Sequence, residues 1–130
     1  GSDIFLVKYN SSGTKQWTKQ LGTSDNESGS SVQVDSSDNF YLAGRTKGGL
    51  DNNTNSGGDD IFLVKYNSSG TKQWTRQFGT SDNDSGVSVV LDSSNNIYVG
   101  GYTEGGLDDN TNSGGQDIFL MKFNSDGVLQ

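Results

Sequence analysis

The chain has no cysteine, no histidine and no proline. Without the first two, disulfides, Cys or His zinc sites, thiol nucleophiles and Ser-His-Asp triads are excluded by inventory, and most familiar enzyme chemistries go with them. We therefore expect no enzyme. Without proline, turns fall to Gly, Asn, Asp and Ser, which tolerate positive φ or cap their own backbone. Only 28% of the 130 residues are hydrophobic, which is thin for a self-sufficient core. No stretch approaches the roughly 20 apolar residues of a membrane helix, and the N-terminus lacks the basic-then-apolar pattern of a signal peptide, so no membrane insertion is expected. Positive charge is scarce too. Nine Lys and Arg against sixteen Asp and Glu leave a net charge of −7, the wrong sign for nucleic acid.

What is present is a repeat. Asp3-Ile4-Phe5-Leu6-Val7-Lys8-Tyr9-Asn10 recurs from Asp60 to Asn67 and, with Met121 and Phe123 substituted, from Asp117 to Asn124, a spacing of 57 residues each time. Periods of about 40 to 50 residues with several short strands per unit point to propeller blades, and 57 leaves room for one long loop. Four strand-like runs follow one another in each copy: Gly86–Leu91, Asn96–Gly101, the near-continuously apolar Asp117–Phe123, expected to be buried on both faces, and the type of Lys15–Leu21 and Lys72–Phe78. The fold class expected is all-β, with blades of four antiparallel strands, about two blades per chain. Residues 1–22 would be the outer two strands of one blade, 23–79 a complete blade, and 80–130 a blade lacking most of its outermost strand. Long loops fall at 46–59 and 103–116, on one rim.

The run from Asp60 through Trp74, with Gly79-Thr80, Val90-Leu91-Asp92-Ser93 and Asn96-Ile97-Tyr98-Val99-Gly100-Gly101-Tyr102-Thr103, resembles the bacterial SBBP repeat, named for seven-bladed β-propellers. The resemblance implies a scaffold of the kind found in large, often secreted or surface bacterial proteins, hence an extracellular or cell-surface location. It carries no catalytic residues over.

Several residues are candidates for chemistry. Asp51, Asn53, Asn55 and Asp59 stand at positions 1, 3, 5 and 9 of an oxygen-rich loop, the spacing that wraps Ca²⁺. The loop resembles those of integrin-type propeller blades, with Asn for Asp at two positions and the glycine one residue late. The later copy offers Asp108, Asn110, Asn112 and Gln116, one carboxylate fewer and so a weaker site. The acidic turns Asp25-Asn26-Glu27 and Asp82-Asn83-Asp84 read as calcium ligands or as plain turns. Asp35 and Asp92, the obvious pair for glycoside hydrolysis, each begin an Asp-Ser-Ser turn that an Asx-turn explains. Trp17 and Trp74 are expected to pack blade on blade.

Two functions follow as expectations. One is a non-catalytic scaffold or interaction module that meets a protein partner at its loop face. The other is a lectin-like propeller binding glycan through Tyr41, Tyr98 or Tyr102. In either case two blades would leave apolar faces and edge strands bare, whereas closed propellers usually have about four to eight. Self-association is therefore expected: a trimer of six blades first, with a dimer of four or a tetramer of eight as alternatives, and an open head-to-tail assembly if the rotation fails to close.

Overall fold

The computed structural model describes residues 1–130. Nine strands form: β1 (Ile4–Tyr9), β2 (Lys15–Leu21), β3 (Glu27–Val34), β4 (Phe40–Thr46), β5 (Asp60–Tyr66), β6 (Lys72–Phe78), β7 (Asp84–Leu91), β8 (Ile97–Thr103) and β9 (Asp117–Phe123). They make three antiparallel meanders ordered β1-β2, β3-β4-β5-β6 and β7-β8-β9. The chain is thus all-β, with one complete four-stranded blade between two partial ones.

Turn chemistry explains the meanders. Between β1 and β2 the Asn10 Oδ1 accepts the amides of Ser12 and Thr14, and Gly13 takes a φ of 76°, so a tight turn ends in a bulge that the strands show as a register shift after Lys8. The β5–β6 turn repeats this at Asn67 and Gly70. Between β3 and β4 the same geometry is built from aspartate: Asp35 Oδ1 accepts Ser37 and Asn39 amides at 2.9 Å each, and Asp38 takes the left-handed residue's place. Each long loop, 46–59 and 103–116, opens on a single 3₁₀ turn, Leu50–Asn52 or Leu107–Asp109, whose leucine is buried.

The sheets stack face to face. One core joins Tyr41, Ala43, Ile61 and Leu63 of the complete blade to Val89, Ile97, Val99, Met121 and Phe123 of the next. The other joins Ile4 and Leu21 of the first sheet to Phe40, Leu42, Phe62 and Val64. Alternation along β5 sends Ile61 and Leu63 one way and Phe62 and Val64 the other. This strand is buried on both faces. Its copy β9 is not, contrary to the expectation for an apolar run: Ile118 is 92% exposed and Leu120 74%. No sheet lies on that side of β9.

Close approach explains two glycines. A Cβ on Gly44 would fall 2.1 Å from the Ser28 carbonyl oxygen and 2.8 Å from the Phe62 ring, and on Gly101 1.9 Å from Ser85 O and 2.9 Å from Phe119. Gly44→Ala is therefore expected to destabilise the chain by about 1–3 kcal/mol. Chemical denaturation followed by tryptophan fluorescence measures this, and an unchanged midpoint would refute it.

Candidate functional site

The notable surface lies at the two ends of the stack. Equivalent residues in the three copies of the repeat have opposite fates. Phe62 is fully buried whereas Phe5 is 72% exposed, and Val89 is 1% exposed whereas Val32 is 48%. Ile61 and Leu63 are fully buried, whereas Ile118 and Leu120 lie open at the other end. The first end forms a groove of about 450 Å³ bounded by Asp3–Leu6, Glu27–Val32 and Leu42. The second end carries a groove of about 360 Å³ along the free edge of β9, walled by Thr103, Leu107, Asp108 and Asp117–Met121.

Polar residues show what the second groove lacks. In the complete blade, β6 holds down the long loop. Gln77 accepts the Leu50 amide at 2.9 Å and donates to Gly48 O at 3.0 Å and to Asp60 Oδ2 at 3.1 Å, while Lys72 and Thr75 both bind the Asp51 carboxylate. Burial alone would push the Asp51 carboxyl up, but the Lys72 ammonium and Thr75 hydroxyl outweigh it and hold the carboxyl below the usual range. Residues 124–130 form no strand equivalent to β6, so within residues 1–130 Leu107 and Asp108 have none of these partners. At the other end Gln20 donates to Asp3 Oδ2 at 2.6 Å, repeating Gln77 on Asp60, with no long loop in reach of it.

The proposed calcium ligands are divided among other partners. Asp51 faces Lys72 and Thr75; Asn53 donates to Leu50 O at 2.7 Å; Asn55 bonds both Gly57 and Gly58; Asp59 pairs with Arg45 at 3.1 Å. A cation would have to displace a lysine and an arginine. In the second loop Asn110 donates to Leu107 O at 2.9 Å, Asn112 bonds Gly114 and Gly115, Gln116 donates to Glu104, and Asp108 is left exposed. The acidic turns put Glu27 and Asp84 inside the fold. Glu27 accepts Thr46 Oγ1 at 2.8 Å and Thr23 Oγ1 at 2.7 Å, and Asp84 accepts Thr103 and Thr80 likewise.

Asp35 has its oxygens filled, by Ser37 and Asn39 amides, Asn39 Nδ2 at 2.8 Å and the Tyr41 hydroxyl at 3.1 Å; Asp92 repeats the set with Ser94, Asn96 and Tyr98. Tyr41, expected at a glycan surface, is fully buried in the interblade core and its hydroxyl donates to Asp35. Burial raises its pKa strongly, helped by Asp35. Tyr98 is half-buried at the open end, and Tyr102 lines a polar cavity of about 280 Å³ with Arg45, Asp59, Asn83 and Glu104. Trp17 stands edge-on to Phe40 at 5.2 Å and covers Gly70 of the adjoining blade's turn; Trp74 covers Gly127 in the same way. Sequence reading missed the Gln77, Lys72 and Thr75 clamp. Its signal was there, in the repetition of all three as Gln20, Lys15 and Thr18.

Meanders of this order, stacked through alternating faces of a central strand, define a repeat protein of blade-like sheets that joins modules through their faces. The profile of the family described as "Beta-propeller repeat" (SBBP) matches residues 16–51 and 73–108, and the chain belongs to that family. It is 33% identical over 97% of its length to a regulatory protein, FlaEY, of Caulobacter vibrioides, covering 14% of that protein. It is 29% identical over 95% of its length to an uncharacterized WD repeat-containing protein of Acanthamoeba polyphaga mimivirus, covering 10% of it. The chain thus spans a small part of each relative. The family makes it a β-propeller repeat protein.

Proposed function

We propose that the chain is a non-catalytic scaffold that associates with further copies of its own repeat, completing a closed propeller whose loop rim is free to hold a protein partner. The observation that carries this is the contrast between buried Ile61, Leu63 and Phe62 and the exposed Ile118, Leu120 and Phe5, the same side chains one repeat away. Each exposed residue is shaped for a neighbour that the middle blade already has. Burying such side chains contributes about 1.5–3 kcal/mol apiece, which favours association over solvent exposure. A head-to-tail contact of this kind closes a ring when the rotation per chain allows it, and three chains would give six blades. Multi-angle light scattering is expected to give an integral multiple of the 13.9 kDa chain mass, with a trimer first. A folded monomer at all concentrations would sink the proposal.

A second reading rests on the polar cavity around Tyr102, whose mix of one ring, Arg45 and carboxylates suits a neutral sugar. Concentration-dependent binding on a glycan array would support it.

A further inference from the structure

We propose that Asp60 and Asp84 hold a calcium ion between the complete blade and the sheet that follows it. Asp60 opens β5 of one sheet and Asp84 opens β7 of the next. Both are fully buried. Their carboxylates turn toward one point above the Cα of Gly79, where a Cβ would stand 2.5 Å from Asp60 Oδ1 and 2.9 Å from Asp84 Oδ2. Gly79 is not among the glycines with positive φ, so it is the two carboxylates, not the turn, that exclude a side chain there.

One oxygen of the pair has no partner. Asp60 Oδ2 accepts the Ser56 amide at 2.8 Å and Gln77 Nε2 at 3.1 Å, whereas the buried Asp60 Oδ1 accepts nothing. Asp84 Oδ2 accepts the Thr80 amide at 2.5 Å and the Thr80 hydroxyl at 3.0 Å, and Asp84 Oδ1 accepts the Thr103 hydroxyl. Folded proteins seldom leave a buried acceptor unfilled, least of all on a charged group. Nor does the chain bring a positive charge to the pair, because its two ion pairs are Arg45 with Asp59 and Lys72 with Asp51. Two carboxylates converging inside the fold without a counter-charge repel each other and lack solvation. A metal ion between them relieves both.

The donors choose the ion. All are oxygens, in a chain with no His or Cys, which suits a hard cation. Ca²⁺ takes about six to eight oxygens in flexible geometry, whereas Mg²⁺ demands a near-ideal octahedron. Two carboxylates with the Thr80 hydroxyl beside them leave the rest of the shell to water. Water and ion have a way in, since Asp84 forms part of the wall of the polar cavity of about 280 Å³. That cavity sets Asp59, Asp84 and Glu104 against Arg45 and Lys47, an excess of negative charge that draws a cation inward.

The set recurs with the repeat. Asp3, Gly22 and Glu27 stand one period earlier, and a Cβ on Gly22 would lie 2.3 Å from Asp3 Oδ1. Acid, glycine and acid thus return at successive blade junctions, although Glu27 is one methylene longer than Asp84. The ion is then a tie between blades, independent of the long loop, whose Asp51 and Asp59 are held by Lys72 and Arg45.

Thermal unfolding of the whole chain in chelator, then with calcium chloride or magnesium chloride at matched ionic strength, tests the site. Calcium at about 10 mM is expected to raise the melting temperature by about 5 °C, and magnesium by less than about half of that. Titration calorimetry with calcium chloride should give saturable binding with a Kd of about 0.1–1 mM, the range of extracellular modules with few carboxylates. Asp60→Asn removes a buried charge, so in chelator it should melt no lower than the unaltered chain, yet it should lose the calcium shift and bind about 10-fold or more weaker. Gly79→Ala, whose Cβ would stand between the carboxylates, should lose the shift too, and Asp51→Asn in the long loop should keep it. A shift kept by Asp60→Asn and lost by Asp51→Asn would place the ion in the loop and overturn the proposal. An equal response to magnesium would overturn it as well, as mere screening of a chain of net charge −7. No response to calcium in either measurement would leave Asp60 Oδ1 to a buried water or a proton, and the site would fall.

Discussion

Replacing Phe62 by alanine is expected to cost about 3–5 kcal/mol of folding free energy, and replacing Phe5, the same residue one repeat earlier, less than about 0.5 kcal/mol. Phe62 is fully buried in the core between the first two sheets, among Ile4, Leu42 and Val64. Its ring lies under Gly44, where a Cβ would come within 2.8 Å of it, so ring and glycine fit one another and the site cannot collapse inward without moving β4. A truncated ring therefore leaves a cavity that the sheet cannot refill, and the lost transfer energy and the cavity cost add. Phe5 stands at the open end with 72% of its surface in water, so its loss costs the free chain little. Equilibrium unfolding in guanidinium, read by Trp17 and Trp74 emission, compares the two variants. Equal losses at both positions would mean that Phe5 is buried in solution.

The fold was largely legible because it is written in local terms. Strands β2, β6 and β9 follow from period-2 or apolar runs bounded by Asn, Ser and Gly, and the turns at Asn10, Asp35, Asn67 and Asp92 are Asx-turns that composition alone demands. The repeat then turned one reading into three. Burial was less legible because it depends on neighbours in space. Ile61 and Ile118 have the same sequence context and opposite exposure, and only the position of a sheet beside them decides it. The same holds for the site. The oxygen spacing of Asp51, Asn53, Asn55 and Asp59 looks like a cation loop, yet Lys72 and Arg45, distant in sequence, reach two of the four. A one-dimensional pattern cannot see a cation arriving from another strand. Tyr41 shows the same limit, since an aromatic with a polar tip suits a ligand surface or a core equally until its neighbours are known.

Asp35→Ala is expected to cost roughly 2–4 kcal/mol near neutral pH and to flatten the acid side of the stability curve. The carboxylate sits at the base of the β3–β4 turn and accepts four hydrogen bonds, two from backbone amides and two from Asn39 Nδ2 and the Tyr41 hydroxyl. Alanine would leave the buried Tyr41 hydroxyl without its acceptor and the turn without the oxygen that closes it. Burial by itself would raise the pKa of this acid, but the bonds from Asn39, Ser37 and Tyr41 outweigh that and hold it below its ordinary value of 3.8. A pKa lower in the folded chain than in the unfolded one means that the unfolded chain binds the proton more readily. The stabilisation is then complete above the unfolded value and is lost as pH falls through the folded one. Stability of the unaltered chain should therefore drop from about pH 5 downward, with Asp51 acting in the same direction through Lys72 and Thr75. Asp35→Asn keeps one acceptor oxygen, so it should lose less than alanine does and share its weaker acid dependence. Melting temperatures measured from pH 7 to pH 3 on the three chains separate the contributions, and parallel curves for the unaltered chain and Asp35→Asn would show that the charge of Asp35 has no part in holding the turn.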